Sequence, residues 1–314
     1  MKTFHIKFYE NRKIFIGISA AVILIGIICN IIFGTQLDIQ FKGGAVIRYS
    51  FSGEIDQEDV QRIVQDASGK NVTVTIGQSM GDETDSSVSL SFAGEDSLSV
   101  EEQQAVEAAL TEQYPDAGFT VIESSSIDPT MGGEFFLKCI ISIIIAAILL
   151  IIYIAFRFKK IGGMSAGVMA IITLTHDVIM VYFTFVICRI PLNDNFIAVV
   201  LTILGYSLNG TIIIYDRVRE NRRIMGPKAD VADVVDTSIN QTLTRSVYTA
   251  LCTFLAVAVV YVVGAIYDLS TVTTFALPMM VGIVCGCYSS TCVAGPLYVM
   301  WQKHKKAVRA KTAE

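Results

Sequence analysis

Apolar residues collect in six blocks along the chain, roughly Ile14–Phe33, Cys139–Phe156, Met164–Cys188, Phe196–Tyr215, Ser246–Ile266 and Thr274–Met300. Each is long enough to cross a bilayer as a helix, which takes about 20 residues. The first block follows Lys7, Arg12 and Lys13, as a signal peptide would. It exceeds a typical signal core, and no small-x-small cleavage site follows Phe33, so the pattern predicts a retained anchor.

Between the first two blocks the periods are short. Ala45–Phe51 alternates Ile47, Tyr49 and Phe51 against Val46, Arg48 and Ser50, which predicts a strand. Asp56–Ala67 carries Val60, Ile63 and Val64 on one helical face, with Ser52–Gly53 and the following acids at its start. Asn71–Gln78 and Ser87–Phe92 alternate with period two around the turn cluster Gly81–Asp85, predicting a hairpin with a longer loop. Ser99 followed by Glu101 and Glu102 predicts a capped helix running to about Gln113. Pro115–Gly118 ends it, and Phe119–Ile122 is a last strand. The order βαββαβ is that of a ferredoxin-like module. It contains no His, no Cys and no glycine-rich phosphate loop, so it is expected to bind or position rather than to catalyse. A compact module with no site of its own fits the same pattern.

Composition sharpens the class. The chain is 53% hydrophobic and only 17% charged, which excludes disorder and argues against a soluble enzyme. Charge then orients the blocks. Segments 1–13, 157–163, 216–245 and 301–314 hold 18 of the 24 Lys and Arg residues. By the positive-inside bias these are cytoplasmic, and so are both termini. Segment 34–138 lies outside with 19 Asp and Glu against five Lys and Arg, a formal −14 that argues against nucleic-acid binding. The predicted organisation is a cytoplasmic N-terminus 1–13, a first span 14–33, an extracytoplasmic α+β domain 34–138, a five-helix bundle 139–300 with a cytoplasmic amphipathic segment 216–245, and a basic tail 301–314. None of the seven cysteines falls in the exterior domain, so that domain must fold on its own core. Cys285-x-Cys287 has no His or carboxylate beside it and is read as packing, not as a metal site.

Polar residues inside the apolar blocks carry the functional signal. Asp177 is the only acid well inside any span, preceded by Thr173 and His176. A carboxylate at that depth costs a few kcal/mol and faces a bundle interior or a water path. It is either an ion-pathway residue or a structural interhelix bond, and Thr173, one turn earlier, stands where it could share a hydrogen bond with it. Gly205-Tyr206-Ser207-Leu208-Asn209-Gly210-Thr211 interrupts the fourth block with two glycines and polar side chains, suiting close helix approach or a local break. The charged run Asp216-Arg217-Val218-Arg219-Glu220 ends that block as a stop-transfer cluster does. Beyond it Val231, Val234, Val235, Ile239, Leu243 and Val247 make an amphipathic helix entering the fifth block. Arg245 is the one basic residue placed to be drawn into the bundle. One span, an exterior domain and five spans form half of a twelve-helix transporter, so a complementary six-helix subunit is implied.

Four patches resemble those of the SecF family, the smaller membrane subunits of the SecD–SecF accessory complex of bacterial protein export. They are Asp38-Ile39-Gln40-Phe41-Lys42-Gly43-Gly44, Leu174-Thr175-His176-Asp177-Val178, Gly205–Asn209 through Asp216–Asn221, and Ile239-Asn240-Gln241-Thr242-Leu243-Thr244-Arg245. The resemblance spans nearly the whole chain. It implies a fold of the resistance-nodulation-division type in the bacterial cytoplasmic membrane and a SecD-like partner. It further implies association with the SecYEG channel, and proton or sodium movement that helps unfolded polypeptide leave the channel after SecA has pushed it. It implies no organic cofactor and no enzyme activity. Where the family has Asn-Asp-Thr, with the Asp assigned to the ion path, this chain has Asn209-Gly210-Thr211. Arg245, the usual companion of that acid, is present. Glycine cannot carry a proton, so either Asp177 or an acid of the partner subunit carries the ion, or coupling is weakened.

Two other function classes compete: a half-size efflux transporter and a scaffold that stabilises the partner without ion coupling. Residues 45–126 are too few for a core plus a ligand cleft of several hundred cubic ångströms, which disfavours efflux. Gly210 favours the scaffold. The charge pattern generates a direct topological test in a background freed of native cysteines. A cysteine replacing Ser86 should react with an impermeant thiol reagent in whole cells, and one replacing Ala229 should not. The reverse result would invert the orientation.

Overall fold

The computed structural model describes residues 6–78, 86–93, 98–127, 129–158, 163–226, 228–267 and 269–312, and the expected turn at Gly81–Asp85 lies outside them. Among the described residues six helical stretches are long and apolar enough to cross a membrane. The elements in chain order are α1 (Arg12–Phe33), α2 (Ile39–Lys42), β1 (Gly44–Phe51), α3 (Gln57–Ser68), β2 (Thr73–Gln78), β3 (Ser86–Ala93), α4 (Val100–Gln113), β4 (Thr120–Ile127) and α5 (Pro129–Arg157). They continue as α6 (Gly163–Ile187), α7 (Asp194–Met225), α8 (Val231–Ile266), α9 (Ser270–Tyr288), a π-helical segment Ser289–Ala294, and α10 (Gly295–Thr312).

The small unit is an antiparallel four-stranded sheet in the order β2-β3-β1-β4. Alternation along β1 sends Ala45, Ile47, Tyr49 and Phe51 inward, level with Val88, Leu90 and Phe92 of β3. Val60 and Val64 of α3 and Val106 and Leu110 of α4 close this core, which is separate from that of the bundle. The α3 N-cap is Asp56, whose side chain accepts the N–H groups of Glu58 and Asp59, and not the earlier Ser52–Gly53. The acceptor oxygen nearest the first turn does the capping. The Ser99 expectation fits fully: Ser99 and Glu102 form a reciprocal capping box. The Ser99 N–H and then the Lys70 ammonium hold the Glu102 carboxyl below its ordinary range. β4 continues to Ile127, five residues beyond the predicted Ile122. Ser124, Ser125 and Ser126 pair with Ile47, Val46 and Ala45 through backbone alone, so no apolar alternation marks them. α5 begins at Pro129, inside the stretch assigned to the exterior domain, and runs unbroken into the second span.

In the bundle α6 and α7 are central: 61% and 50% of their most apolar stretches are buried, against 6% for α8. Close approach of α7 and α9 depends on two glycines four apart. A Cβ at Gly282 would lie 2.6 Å from Ile203 Cδ1, and one at Gly286 would lie 3.1 Å from Ser207 Cβ. Glycine at this spacing lets helix backbones meet where no water-driven collapse is available. The same stripe continues to Ser290, which faces Gly210 across the contact. The sixth apolar block is thus not one α-helix but α9, a π turn and α10.

The separate core of the α+β unit predicts that residues 36–128, expressed alone, unfold cooperatively without metal or reductant. In that fragment Leu90→Ala should cost about 2–5 kcal/mol, because a fully buried side chain leaves a cavity. Val121→Ala, at a half-exposed edge position, should stay within about 0.5 kcal/mol. Chemical denaturation of both variants checks this.

Candidate functional site: a buried carboxylate at the α6–α7–α9 junction

Asp177 is wholly buried on α6. Its Oδ2 accepts two hydroxyl hydrogen bonds, from Ser207 Oγ at 2.5 Å and from Ser289 Oγ at 2.7 Å. Its Oδ1 lies 3.0 Å from His176 Nδ1. The three groups come from three places: His176 from α6 itself, Ser207 from α7 and Ser289 from the π segment. The glycine-mediated approach of α7 to α9 brings Ser207 within reach. The π turn then brings in Ser289 and Ser290 together. Ser290 Oγ donates to the Ser207 carbonyl at 3.0 Å and lies 3.1 Å from Thr211 Oγ1. A buried carboxylate is tolerated when several donors satisfy it, and charge-assisted bonds of this kind are the stronger ones.

His176 is 8% exposed, and its Nε2 is buried without a hydrogen-bond partner. Thr173 is buried but does not serve Asp177. Its hydroxyl donates to the Met169 carbonyl at 2.8 Å, the usual alternative for a threonine inside a helix. Asn209 sits on an exposed face of α7, away from the carboxylate. With Gly210, Ser246 and Ser290 it lines a cavity of about 30 Å³, room for a water molecule. A Cβ at Gly210 would stand 3.0 Å from Ser290 Oγ and 3.3 Å from Ser290 Cβ. Ser290 therefore occupies the space next to the position where a side chain would begin.

Arg245 is exposed in the isolated chain, not drawn among the buried groups. It lines an open cavity of about 1040 Å³ with Asp216, Arg217, Arg219, Glu220 and Gln241 among others. No carboxylate of the described residues lies within ion-pair distance of it. Asp216 is held by Arg157 of α5 and Arg219, each at 3.0 Å. Arg217 donates to Gln241 Oε1 and to Glu220 Oε2, both at 2.6 Å. The same Gln241 oxygen accepts from Asn221 at 2.8 Å. Next to it, the Asn240 amide exchanges two hydrogen bonds with the Ile6 backbone, at 2.9 and 2.7 Å, while Asp236 accepts from the Tyr9 N–H at 3.0 Å. Asn240 and Gln241 thus tie the N-terminal stretch and the end of α7 to the start of α8.

Sequence reasoning singled out Asp177 and His176 and missed Ser289 and Ser290. A signal existed: Ser289-Ser290-Thr291 is a polar run inside an apolar block, beginning three residues after a Gly-x-x-x-Gly pair. The Asp38 patch also gains a place. Asp38 caps α2 through the Gln40 N–H, and the Asp38 N–H donates to the Leu192 carbonyl between α6 and α7. Burial, followed by the nearby Asp194, pushes the Asp38 carboxyl up, against the Gln40 N–H that lowers it.

Comparison with known proteins gives a consistent set of relatives. The family described as protein export membrane protein SecD/SecF, C-terminal, matches residues 105–304. The protein translocase subunit SecF of Petrotoga mobilis is 31% identical over 309 residues, covering 98% of this chain and 99% of that one. The protein translocase subunit SecDF of Bacillus subtilis is 31% identical over 297 residues, 94% of this chain but 38% of that longer one. The crystal structure of SecDF, a translocon-associated membrane protein, from Thermus thermophilus superposes with a TM-score of 0.80 at 27% identity. The match covers 95% of this chain and 39% of that one.

The hydrogen bonds around Asp177 predict a split between two substitutions. Asn keeps one oxygen for the two serine hydroxyls, so Asp177→Asn should leave protein yield and melting temperature close to the parent. Ala strands two hydroxyls and an imidazole, and Asp177→Ala should cost about 1–3 kcal/mol of stability. Thermal melts of both purified variants read the difference.

Proposed function

The chain belongs to the SecD/SecF family of protein-export membrane proteins, as a SecF-type subunit, and we propose that it promotes late steps of Sec-dependent polypeptide translocation using the ion-motive force. It acts as a transport accessory rather than as an enzyme. Its partner is a SecD-like membrane subunit. Support for that pairing comes from the fused SecDF chain of Bacillus subtilis, in which the counterpart of this chain occupies 38% of the length. The nearly unburied face of α8 offers a surface for such a neighbour. The complex works beside the SecYEG channel, downstream of SecA, on unfolded polypeptide.

The chain is a multi-pass bacterial membrane protein, and the proposed membrane is the cytoplasmic one. Both termini and the arginine-rich cavity face the cytoplasm, in line with the 18 basic residues of that side. The α+β unit is extracytoplasmic and ferredoxin-like, a reading supported by its βαββαβ order and its β2-β3-β1-β4 sheet. In this proposal Asp177 is the coupling carboxylate, with His176 beside it. Asn209 lines the water-sized cavity, and Arg245 waits at the cytoplasmic end for an acid of the partner. Thr173 supports the α6 backbone. Asp216 and Arg217 hold the cytoplasmic ends of α5, α7 and α8 in register.

One observation carries the coupling: an acid wholly buried at depth, satisfied by hydroxyls from two other elements. A site of that construction joins the charge state of one residue to the packing of three helices. The test uses Asp177→Asn in cells that depend on this subunit, reading secretion of a SecA-dependent reporter beside co-purification of the partner. Coupling predicts intact co-purification and lost export support. Full export by Asp177→Asn would leave a scaffold role in its place, and failure to recover any SecD-like partner would return the efflux reading.

A further inference from the structure

We infer that His176 and Asp177 form a proton-carrying pair in which His176 Nε2 is the atom that takes up the ion. The inference rests on the coupling role proposed above and names the ion and its point of entry. Oδ2 of Asp177 is engaged by Ser207 and Ser289, while Oδ1 faces His176. In this proposal Asp177 is an ionised carboxylate with no proton to give: Ser207 donates to Oδ2, and so does Ser289, whose hydroxyl also approaches the Gly286 carbonyl at 3.2 Å. In the same proposal His176 presents its proton on Nδ1 in the 3.0 Å contact with Oδ1. Once Nδ1 carries the proton, the neutral ring leaves Nε2 as a bare lone pair. That atom is buried and has no partner, in a side chain more than nine-tenths buried. An unpaired acceptor inside a bundle is costly if nothing ever occupies it.

A proton fits this acceptor in charge as well as in geometry. Binding forms one bond, Nε2–H, and breaks one O–H bond of the hydronium ion that delivers the proton, which leaves as water. The imidazolium charge is met by the carboxylate through the existing Nδ1–H···Oδ1 bond, so the pair passes from a net charge of −1 to zero. Release reverses the same step. Sodium fits poorly. At 2.5 and 2.7 Å the serine oxygens touch Oδ2 directly and leave no gap for an ion between them. Of the elements packed on α6, α9 brings the titratable Cys285 towards Asp177 and Tyr288, whose ring centre lies 6.4 Å from that of His176. Tyr288 spends its hydroxyl proton on the Phe15 carbonyl and is approached by Ser19 of α1. No charged side chain of α5, α7, α8 or α10 among the described residues makes an ion pair or hydrogen bond with the His176–Asp177 pair.

The experiment reconstitutes the chain with its co-purified partner in vesicles loaded with a pH-sensitive dye, under either a pH gradient or a sodium gradient. Asparagine can place its amide N–H where Nδ1 donates, but has no atom at Nε2. His176→Asn should co-purify normally yet lose proton uptake by about 100-fold, the low end for a positioned proton carrier, down to the level of Asp177→Asn. His176→Gln, which fills the Nε2 side without titrating, should lose it too and serves if the asparagine variant fails to fold. Parent-like uptake by either variant, with Asp177→Asn still inactive, overturns the role of Nε2 and leaves coupling through Asp177 intact. A response to the sodium gradient alone overturns the proton. Parent-like uptake by Asp177→Asn as well removes the coupling proposal itself.

Discussion

A carboxylate inside a membrane-spanning bundle has no bulk water to stabilise its charge, so protein groups must supply every hydrogen bond it needs. Asp177 meets that demand with donors delivered from elsewhere in the chain. Ser207 arrives on α7 and Ser289 on the π turn, and both bond the same oxygen. For both to reach it, α7 and α9 must approach more closely than ordinary side chains permit, and Gly282 and Gly286 provide that distance. The π segment is the second half of the solution. Such turns widen the helix locally and recur at functional sites. Here the π turn lets consecutive serines serve different partners, Ser289 the carboxylate and Ser290 the backbone of Ser207. A change in the charge of the His176–Asp177 pair would therefore act at once on α7 and on the joint between α9 and α10.

That joint leads to the opposite end of the sixth span, where α10 is tied back to the rest. Lys303 pairs with Asp230 at 3.0 Å and lies over the Tyr9 ring, while Asn240 holds Ile6. Gln241, one residue on, holds Arg217 and Asn221 of α7. The two polar clusters thus share α7 and the last span. One contains the buried Asp177, and the other ties the ends of α7, α8 and α10 together. Asn209 lines a water-sized cavity, and Arg217, Gln241 and Arg245 line an open one.

Much of the fold was legible because bilayers and sheets impose simple periods. The six spans, the strand alternation through Ile47, Tyr49 and Phe51, and the Ser99–Glu102 cap all follow from spacing alone. What escaped had a local physical cause. β4 extends through three serines because a backbone-paired edge strand needs no apolar face. Of the Ser52–Gly53 pair and the acids that follow it, only Asp56 stands next to the first turn and caps it. At the site, depth and chemistry identified Asp177, since nothing else at depth is acidic. The serines that satisfy it were hidden, because hydroxyls are common in spans and only the π turn gives Ser289 its direction. Thr173 shows the converse: spacing put it one turn from Asp177, and its own helix backbone claimed the hydroxyl. Arg245 was read towards the interior from its place where the chain enters the fifth block, but the isolated chain leaves it facing an open cavity.

The central claim is that the buried His176–Asp177 pair changes protonation as the complex works. Infrared difference spectroscopy of the reconstituted complex, stepped between acidic and alkaline medium, reads this directly. The account predicts imidazole and carboxylate bands that change with pH, with the imidazole component absent in His176→Asn and the whole signal absent in Asp177→Asn. Spectra of the parent that show no titrating band lost in either variant would mean a fixed charge held for packing alone, and would contradict it.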